Sequence, residues 1–593
     1  MRACSREFKL QDVRGKVQDS GSWRKRAFLV AFSLISLLIP LPVSASVPLP
    51  SSPSWKSHDN DYSTGGAVAD VNGDGWLDLL TSNGNDMAMD QNGVYMNNSG
   101  LLDTIASWRS SDNGYFGHCY AGDVDNDGFA DLAVAYLGSG TSGEFMVRIY
   151  HNEAGTLGTS PWWKASDQHS SFDCCLGDVD LDGDLDLAIS AGDAYQNETD
   201  SVRIYRNNGG IFDTLPYWTG HNGNCSDAIR FADIDNDGDL DLFVGQVVPN
   251  QDRGFVSMYR NNAGTLEDAP SWTARPGVGW VLRLALADYD NDGFLDLAAA
   301  SNNQTGEPNS IKVFHNNGGT LDTIAAFTML RSNQYSSCVA WADVNGDQYL
   351  DLAAGGWWEP AVVFENHAGI LDTTPAWSWS PSPATDLVCE AVVWGDMTNG
   401  HLSSVNESYS GDGTRRLFNI HRRPLQALDS VYVEGAKVPV TGYCFDLLAG
   451  WVSFASVPPA GTNNVVFYYR FSEAPDLAVT NWGPTHGNYL FLNSTPDAVA
   501  EVPRPPVKPR LEAWPNPAAG QMRIGASAPA AAYGRTLAIY DMAGRVRRTL
   551  TSSTGSWTWD GRDRAGQMVE PGVYFAALDA GGPGLKLVRV STD

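Results

Sequence analysis

Basic residues are scarce in this chain: 39 Lys and Arg stand against 69 Asp and Glu, a formal net charge of −30. Charge of that sign repels a phosphate backbone and argues against a nucleic-acid partner. Cysteine is scarce too, with 8 in 593 residues, and the spacing does not suggest zinc. No H-E-x-x-H, G-x-S-x-G or phosphate loop occurs, and the 10 histidines are scattered, so the common signatures of metalloproteases, serine hydrolases and nucleotide enzymes are missing. Beyond the first 45 residues no segment is long and apolar enough to span a bilayer, so the mature chain has no predicted membrane span.

The one long apolar run lies at the amino end. Arg24-Lys25-Arg26 precedes Ala27 to Ile39, which is followed by Pro40, Pro42 and the small-residue stretch Val43-Ser44-Ala45. That order predicts a signal peptide over residues 1–45 and a mature chain from Ser46. Seven cysteines then remain. Cys119, Cys174, Cys175, Cys338 and Cys389 read either as buried small side chains on innermost strands or as partners in one or two disulfides.

What the chain has in abundance is one pattern. D-x-[DN]-x-D-[G/Q]-x-x-D-L recurs six times, with starts 53, 55, 55, 55 and 55 residues apart. Oxygen side chains fall at positions 1, 3, 5 and 9 of each copy. They are Asp70, Asn72, Asp74 and Asp78; Asp123, Asp125, Asp127 and Asp131; Asp178, Asp180, Asp182 and Asp186; Asp233, Asp235, Asp237 and Asp241; Asp288, Asp290, Asp292 and Asp296; and Asp343, Asn345, Asp347 and Asp351. A hard divalent cation takes six to eight oxygens at ~2.3–2.6 Å, which alternate residues of a tight turn supply, with glycine at position 6 permitting positive φ. The pattern therefore predicts six structural calcium sites, with Gln348 in place of glycine weakening the sixth. The 22 aspartates among these ligands repel one another unless metal is bound.

Each fourth carboxylate runs into a strand such as Asp-Leu-Ala-Val, and each repeat holds four short strands, the last ending at Trp108, Trp163, Trp218, Trp272, Phe327 or Trp377. Repeats of this length read as blades of a β-propeller. A seventh copy starts at Asp396, carries Thr398 and Gly400 where ligands should be, and resumes at Asp476-Leu477-Ala478-Val479. That copy is predicted to hold no metal. Residues 403–475 are predicted to be an inserted small β-sandwich, and Pro53-Ser54-Trp55 to supply the missing last strand of blade seven.

These repeats resemble the FG-GAP and VCBS repeats of calcium-loaded propellers, the architecture of the integrin α-chain head and of several bacterial and fungal lectins. The resemblance covers residues 51–402 and 476–493. After a proline-rich linker at 498–510, residues 511–593 contain Trp514-Pro515-Asn516-Pro517, Leu537 to Arg545, Trp559-Asp560-Gly561-Arg562-Asp563 and Pro571-Gly572-Val573-Tyr574-Phe575. They resemble the FlgD-like immunoglobulin fold and the type A sorting domain of the type IX secretion system. This second resemblance implies a bacterial protein, secreted or held on the outer-membrane surface, with the type IX machinery as a partner.

The fold class expected is thus all-β: a seven-bladed propeller over 46–402 and 476–497, the insertion in blade seven, and a C-terminal Ig-like sandwich. No catalytic residue stands out, because nearly all the aspartates are committed to metal. His151 and His315, which share a repeat position with Arg206, Arg260 and Glu365, read as solvated strand ends. Binding of a glycan or an extracellular protein is the favoured function, on the face opposite the calcium loops. The candidate residues there are Tyr136, Tyr195, Trp357, Trp358 and Trp482, beside Tyr115, Phe116, His118, Trp280 and Tyr335. Two alternatives are a polysaccharide lyase or other carbohydrate-active enzyme, and a structural surface-layer component.

Overall fold

The computed structural model describes residues 47–495 and 511–590 apart from 86, 139–145, 194–197, 221–222, 249–253, 275–277, 303–309, 332–334, 484–486, 515–520, 527–535, 543–544, 553–555 and 579–584. Tyr195, the predicted signal peptide, the 498–510 linker and Pro515-Asn516-Pro517 lie outside the described residues. The chain divides into two compact units, Met1–Pro496 and Asp497–Asp593. No helix among the described residues is long and apolar enough to cross a membrane.

The first unit contains a β-propeller. One four-stranded sheet runs Phe116–Gly122, Asp131–Tyr136, Arg148–Tyr150 and Trp163–Lys164, all antiparallel, and the neighbouring sheets repeat that order. The second strands are buried at every residue. A sheet covered on both faces by its neighbours has no solvent side, so these strands read as continuous apolar runs rather than as alternation.

One sheet is assembled from distant pieces of chain: Val392–Gly395, Asp476–Val479, Tyr489–Phe491 and Trp55–Lys56, with Trp55 opposite Leu490. Among the described residues there are seven sheets of this kind, and their first strands touch in sequence, the last meeting the first. Closure leaves no open edge on the inner ring. Trp55 Nε1 donates to Leu102 O at 3.0 Å, and its ring meets Tyr95 edge-on with centroids 5.5 Å apart.

Residues between Gly400 and Asp476 form two sheets, one of Leu402–Tyr409, Val465–Ser472, Leu425–Val433 and Ala436–Lys437, the other of Leu417–Asn419, Trp451–Phe454 and Tyr443–Asp446. Phe418, Val431, Phe454, Phe467 and Phe471 fill the space between them. This insertion also packs on the propeller. Leu417, Cys444 and Trp451 join the core of the second to fourth sheets, and Tyr120 donates to Asp446 Oδ2 at 2.6 Å.

The cysteines Cys119, Cys174, Cys175, Cys225, Cys338, Cys389 and Cys444 are all buried thiols; Cys338 and Cys389 face each other with Sγ atoms 3.5 Å apart. The second unit has two sheets, Leu511–Trp514 with Met522–Ala526 and Ser556–Trp559, and Val546–Thr551 with Thr536–Asp541, Gly572–Leu578 and Leu585–Arg589. Ile539, Trp557, Trp559 and Leu587 are in its core.

Candidate metal centre and ligand face

Each Asp-rich loop joins the first and second strands of a sheet, and its first and ninth carboxylates organise the turn through backbone donors. Asp123 accepts from the N–H groups of Asp127 and Gly128 at 3.0 and 2.8 Å, and Asp131 accepts from Val124 and Asn152 at 2.9 and 2.6 Å. The same bonds recur at Asp70 and Asp78 and in the loops that follow. The five glycines at position 6 lie at positive φ, from 89° at Gly75 to 97° at Gly238. Gln348 holds the same turn at φ 73° and keeps its N–H on Asp343 at 2.8 Å, so the missing glycine strains that loop without unmaking it.

Burial drives these carboxyls toward their neutral form. It raises Asp78, Asp123, Asp131, Asp178, Asp233, Asp288 and Asp343 to about 7, Asp241 to about 8 and Asp296 to about 9. A cation between them would restore the ionised state.

The third-position oxygens bear most directly on a cation. Asp125 Oδ2 meets His151 Nε2 at 2.8 Å, Asp180 pairs with Arg206 at 2.7 Å, Asp235 pairs with Arg260, and Asp290 meets His315 at 3.1 Å. The other oxygen, Oδ1, of Asp125, Asp180 and Asp235 is buried with no hydrogen-bond partner. Ligand atoms of Asp123, Asp125 and Asp131, of Asp178, Asp180 and Asp182, and of Asp233, Asp235 and Asp237 lie within 4.8 Å of one another. Carboxylates grouped at that separation, with a buried oxygen of each third-position Asp left unpartnered, suit a hard divalent cation.

Where position 3 is Asn the basic partner disappears: Met96 occupies the repeat position of the bases in the copy with Asn72, and Glu365 accepts from Asn345 Nδ2 at 3.3 Å. The residues read from the sequence as solvated strand ends are therefore the outer partners of the third ligand. Their signal was present in the repeat, as a base facing every Asp and none facing an Asn.

A second feature was also missed. The tripeptide aromatic-x-Asn ends the third strand of every sheet, and its Asn Nδ2 reaches the preceding loop: Asn97 to Met397 O, Asn152 to Val71 O, Asn207 to Val124 O, Asn261 to Val179 O, Asn316 to Ile234 O, Asn366 to Tyr289 O and Asn493 to Val344 O, all at 2.6–2.8 Å. These bonds close a complete cycle, in which each asparagine joins its own ninth-position carboxylate to the loop of the sheet before it.

In the degenerate copy, Asp396 still accepts from His401 N at 2.7 Å and Asp476 from Met397 N and Asn493 N at 2.8 and 2.7 Å. Gln426 of the insertion donates to Asp396 O at 3.0 Å. The carboxylates that shape the turn survive while the third and fifth ligands are absent. The insertion also covers the loop end of the channel: Ser453 donates to Asp178 Oδ2 at 2.6 Å, and Pro424, Leu448 and Trp451 line a cavity of about 290 Å³ with inner-strand residues such as Arg230 and Trp341.

Midway along the channel a buried cluster joins the inner strands. Asp173 binds Arg230 and Arg283 at 2.7 and 3.0 Å and lies 3.2 Å from His118 Nδ1. Burial, with Arg283 beside it, lowers His118 to about 4.

At the opposite mouth, Phe172, Trp280, Trp357, Trp358 and Trp482 line a cavity of about 220 Å³. Three of the candidate aromatics, Trp357, Trp358 and Trp482, thus meet in one place. Tyr136 does not join them. It is buried in its strand, edge-on to Phe116 and beneath Arg148 at 4.5 Å, because both faces of that strand are covered by sheets. Phe116 and His118 are likewise interior.

The model of the FG-GAP-like repeat matches residues 70–134, 123–189, 178–244, 247–299 and 295–354. Five FG-GAP-like repeats thus span residues 70–354 of the propeller. Its degenerate seventh copy and the second unit lie outside the matched residues. No curated protein matches the chain. Among solved structures, the crystal structure of BBS1N in complex with ARL6DN, soaked with lead, aligns over 59% of this chain and 90% of that one, at 13% identity and a TM-score of 0.37. A likeness that distant carries no functional weight.

Proposed function

We propose that this FG-GAP-repeat protein is a secreted or surface-displayed binding protein: a seven-bladed propeller held together by calcium in six loops, with a C-terminal Ig-like module that addresses it to the type IX secretion machinery. The reading of calcium as structural is supported by the buried, partnerless Oδ1 atoms of Asp125, Asp180 and Asp235. The reading of the C-terminal unit rests on its four motifs and on its two sheets around one apolar core.

The ligand site of this proposal is the mouth opposite the calcium loops. One observation carries it: the insertion lies across the loop end of the channel, while the far end holds an aromatic cavity with Trp358 39% exposed. Flat rings on a rigid scaffold, beside carboxylates and amides, are the usual makings of a small-ligand site. Glycan or an exported protein presenting a compact group is the partner class. A glycan array probed with the calcium-loaded mature chain tests the sugar half of the proposal. Saturable binding to one sugar class, abolished by Trp358→Ala, would support that half, and a blank array from folded protein removes glycans.

A further inference from the structure

The mouth cavity is acidic as well as aromatic. Asp193, Asp227 and Glu390 line it together with the indoles, and no Lys, Arg or His is among its described lining residues. The basic pair Arg230 and Arg283 belongs to the layer beneath, where both are bound to Asp173. Trp280 Nε1 donates to the Asp227 carboxylate, and Trp357 Nε1 donates to Glu390 Oε1 at 2.5 Å. A carboxylate that accepts from an indole N–H fixes the ring and pushes electron density toward its face. Both effects favour a cation over that face.

The rings are also held rigidly against each other. Tyr335 stacks on Trp357 with centroids 6.4 Å apart and an interplanar angle of 13°, and meets Trp358 edge-on at 5.4 Å. Trp358 sits at φ 58°, a left-handed conformation that a bulky residue rarely adopts, fixed by its N–H on Leu387 O at 2.8 Å. Asn85 adds a polar group: its Oδ1 accepts from the N–H groups of Met87 and Ala88 at 2.9 and 2.8 Å, which leaves Nδ2 buried at the cavity without an acceptor.

We infer that the ligand of this cavity is a free organic ammonium ion, of the choline type, whose cationic head enters the indole walls and whose oxygen accepts from Asn85. The inference rests on the reading of this mouth as the ligand site and narrows it to a charge. A neutral sugar can donate hydroxyls to such carboxylates, but only a cation offsets their charge and also gains from the indole faces. Burial raises Asp227 to about 7, and a cation in the cavity would lower it again.

The test is tryptophan fluorescence of the calcium-loaded full chain, titrated in parallel with choline, with 3,3-dimethylbutan-1-ol, which has the same shape without the charge, and with neutral monosaccharides. The expected result is a saturable change with choline and affinity about ten-fold weaker or worse for the neutral isostere. Trp358→Ala and Asp227→Asn should each weaken choline about ten-fold, with the melting temperature in calcium unchanged for Trp358→Ala. Equal affinity for choline and the isostere, or saturation by a sugar and not by choline, would overturn the ammonium assignment while leaving the mouth as a ligand site. No response to any probe, together with a blank glycan array, would overturn both.

Discussion

Asp125 uses its two oxygens differently: Oδ2 meets His151 Nε2 at 2.8 Å, and Oδ1 is buried without a hydrogen-bond partner. A cation on the inner oxygen and a base on the outer one would share the charge of a single carboxylate. The same division holds at Asp180 with Arg206 and at Asp235 with Arg260. In the absence of calcium the outer base offsets part of the charge of that one carboxylate.

Arg206→Met should therefore make the fold lean harder on calcium. Met96 shows that methionine fits the equivalent position in the copy with Asn72. Loss of a half-exposed ion pair costs roughly 1 kcal/mol or less, and that cost should appear in chelator and shrink in calcium. Paired thermal melts with and without EDTA check it; an equal drop in both conditions would mean that Arg206 acts only through its packing over Tyr217, 4.5 Å away.

The pH dependence of stability should reverse with metal. Burial holds Asp123, Asp178, Asp288 and Asp343 at about 7 in the folded chain, against ~3.9 unfolded. Raised carboxyl values mean that the folded state keeps protons that the unfolded state has released. Without metal, stability is then lost as pH rises from about 4 through 7. Calcium binds the ionised form, so the increment in melting temperature on adding calcium should be larger at pH 8 than at pH 5. Melts across that range check the sign, and a larger increment at pH 5 would contradict it.

The asparagine cycle predicts an unequal response to like substitutions. Asn493→Ala removes donors to Val344 O at 2.8 Å and Pro475 O at 3.3 Å and leaves buried carbonyls unmatched, a loss of about 2 kcal/mol. Asn98→Ala, at an exposed position on the corresponding hairpin, should change stability by less than ~0.5 kcal/mol. Denaturant melts of both variants distinguish them.

Much of this was legible from residues alone, because spacing at 1, 3, 5 and 9 leaves few chemistries open, and because Pro53-Ser54-Trp55 copies the Trp ending missing from the last copy. The chain does pair Trp55 with Leu490. Side-chain direction was less legible. Tyr136 reads as a loop aromatic, yet it closes a strand whose two faces are both covered. His118 reads as a loop residue and is fully buried beside Asp173. The aromatic-x-Asn tripeptide was visible seven times, but its partner lies in the preceding repeat, and periodicity within one repeat does not reveal a bond to the next. The docking of the insertion on Asp178 and Tyr120 joins residues 275 and 326 apart in sequence and left no local trace.

Ring closure offers its own test. Trp55 carries the final strand's hydrogen bond to Leu102 O at 3.0 Å and its edge contact with Tyr95, so Trp55→Ala should destabilise the whole propeller by about 3 kcal/mol. Hydrogen exchange should then quicken in the first and seventh sheets together. Faster exchange confined to the first few residues would contradict closure by that strand.

The most direct measurement is the metal content of the purified mature chain, taken by elemental analysis after gel filtration in metal-free buffer and followed by a melt in EDTA. The account predicts about six calcium ions per chain and a melting temperature that falls sharply on chelation. A folded chain that carries no calcium and melts at the same temperature in EDTA would contradict it.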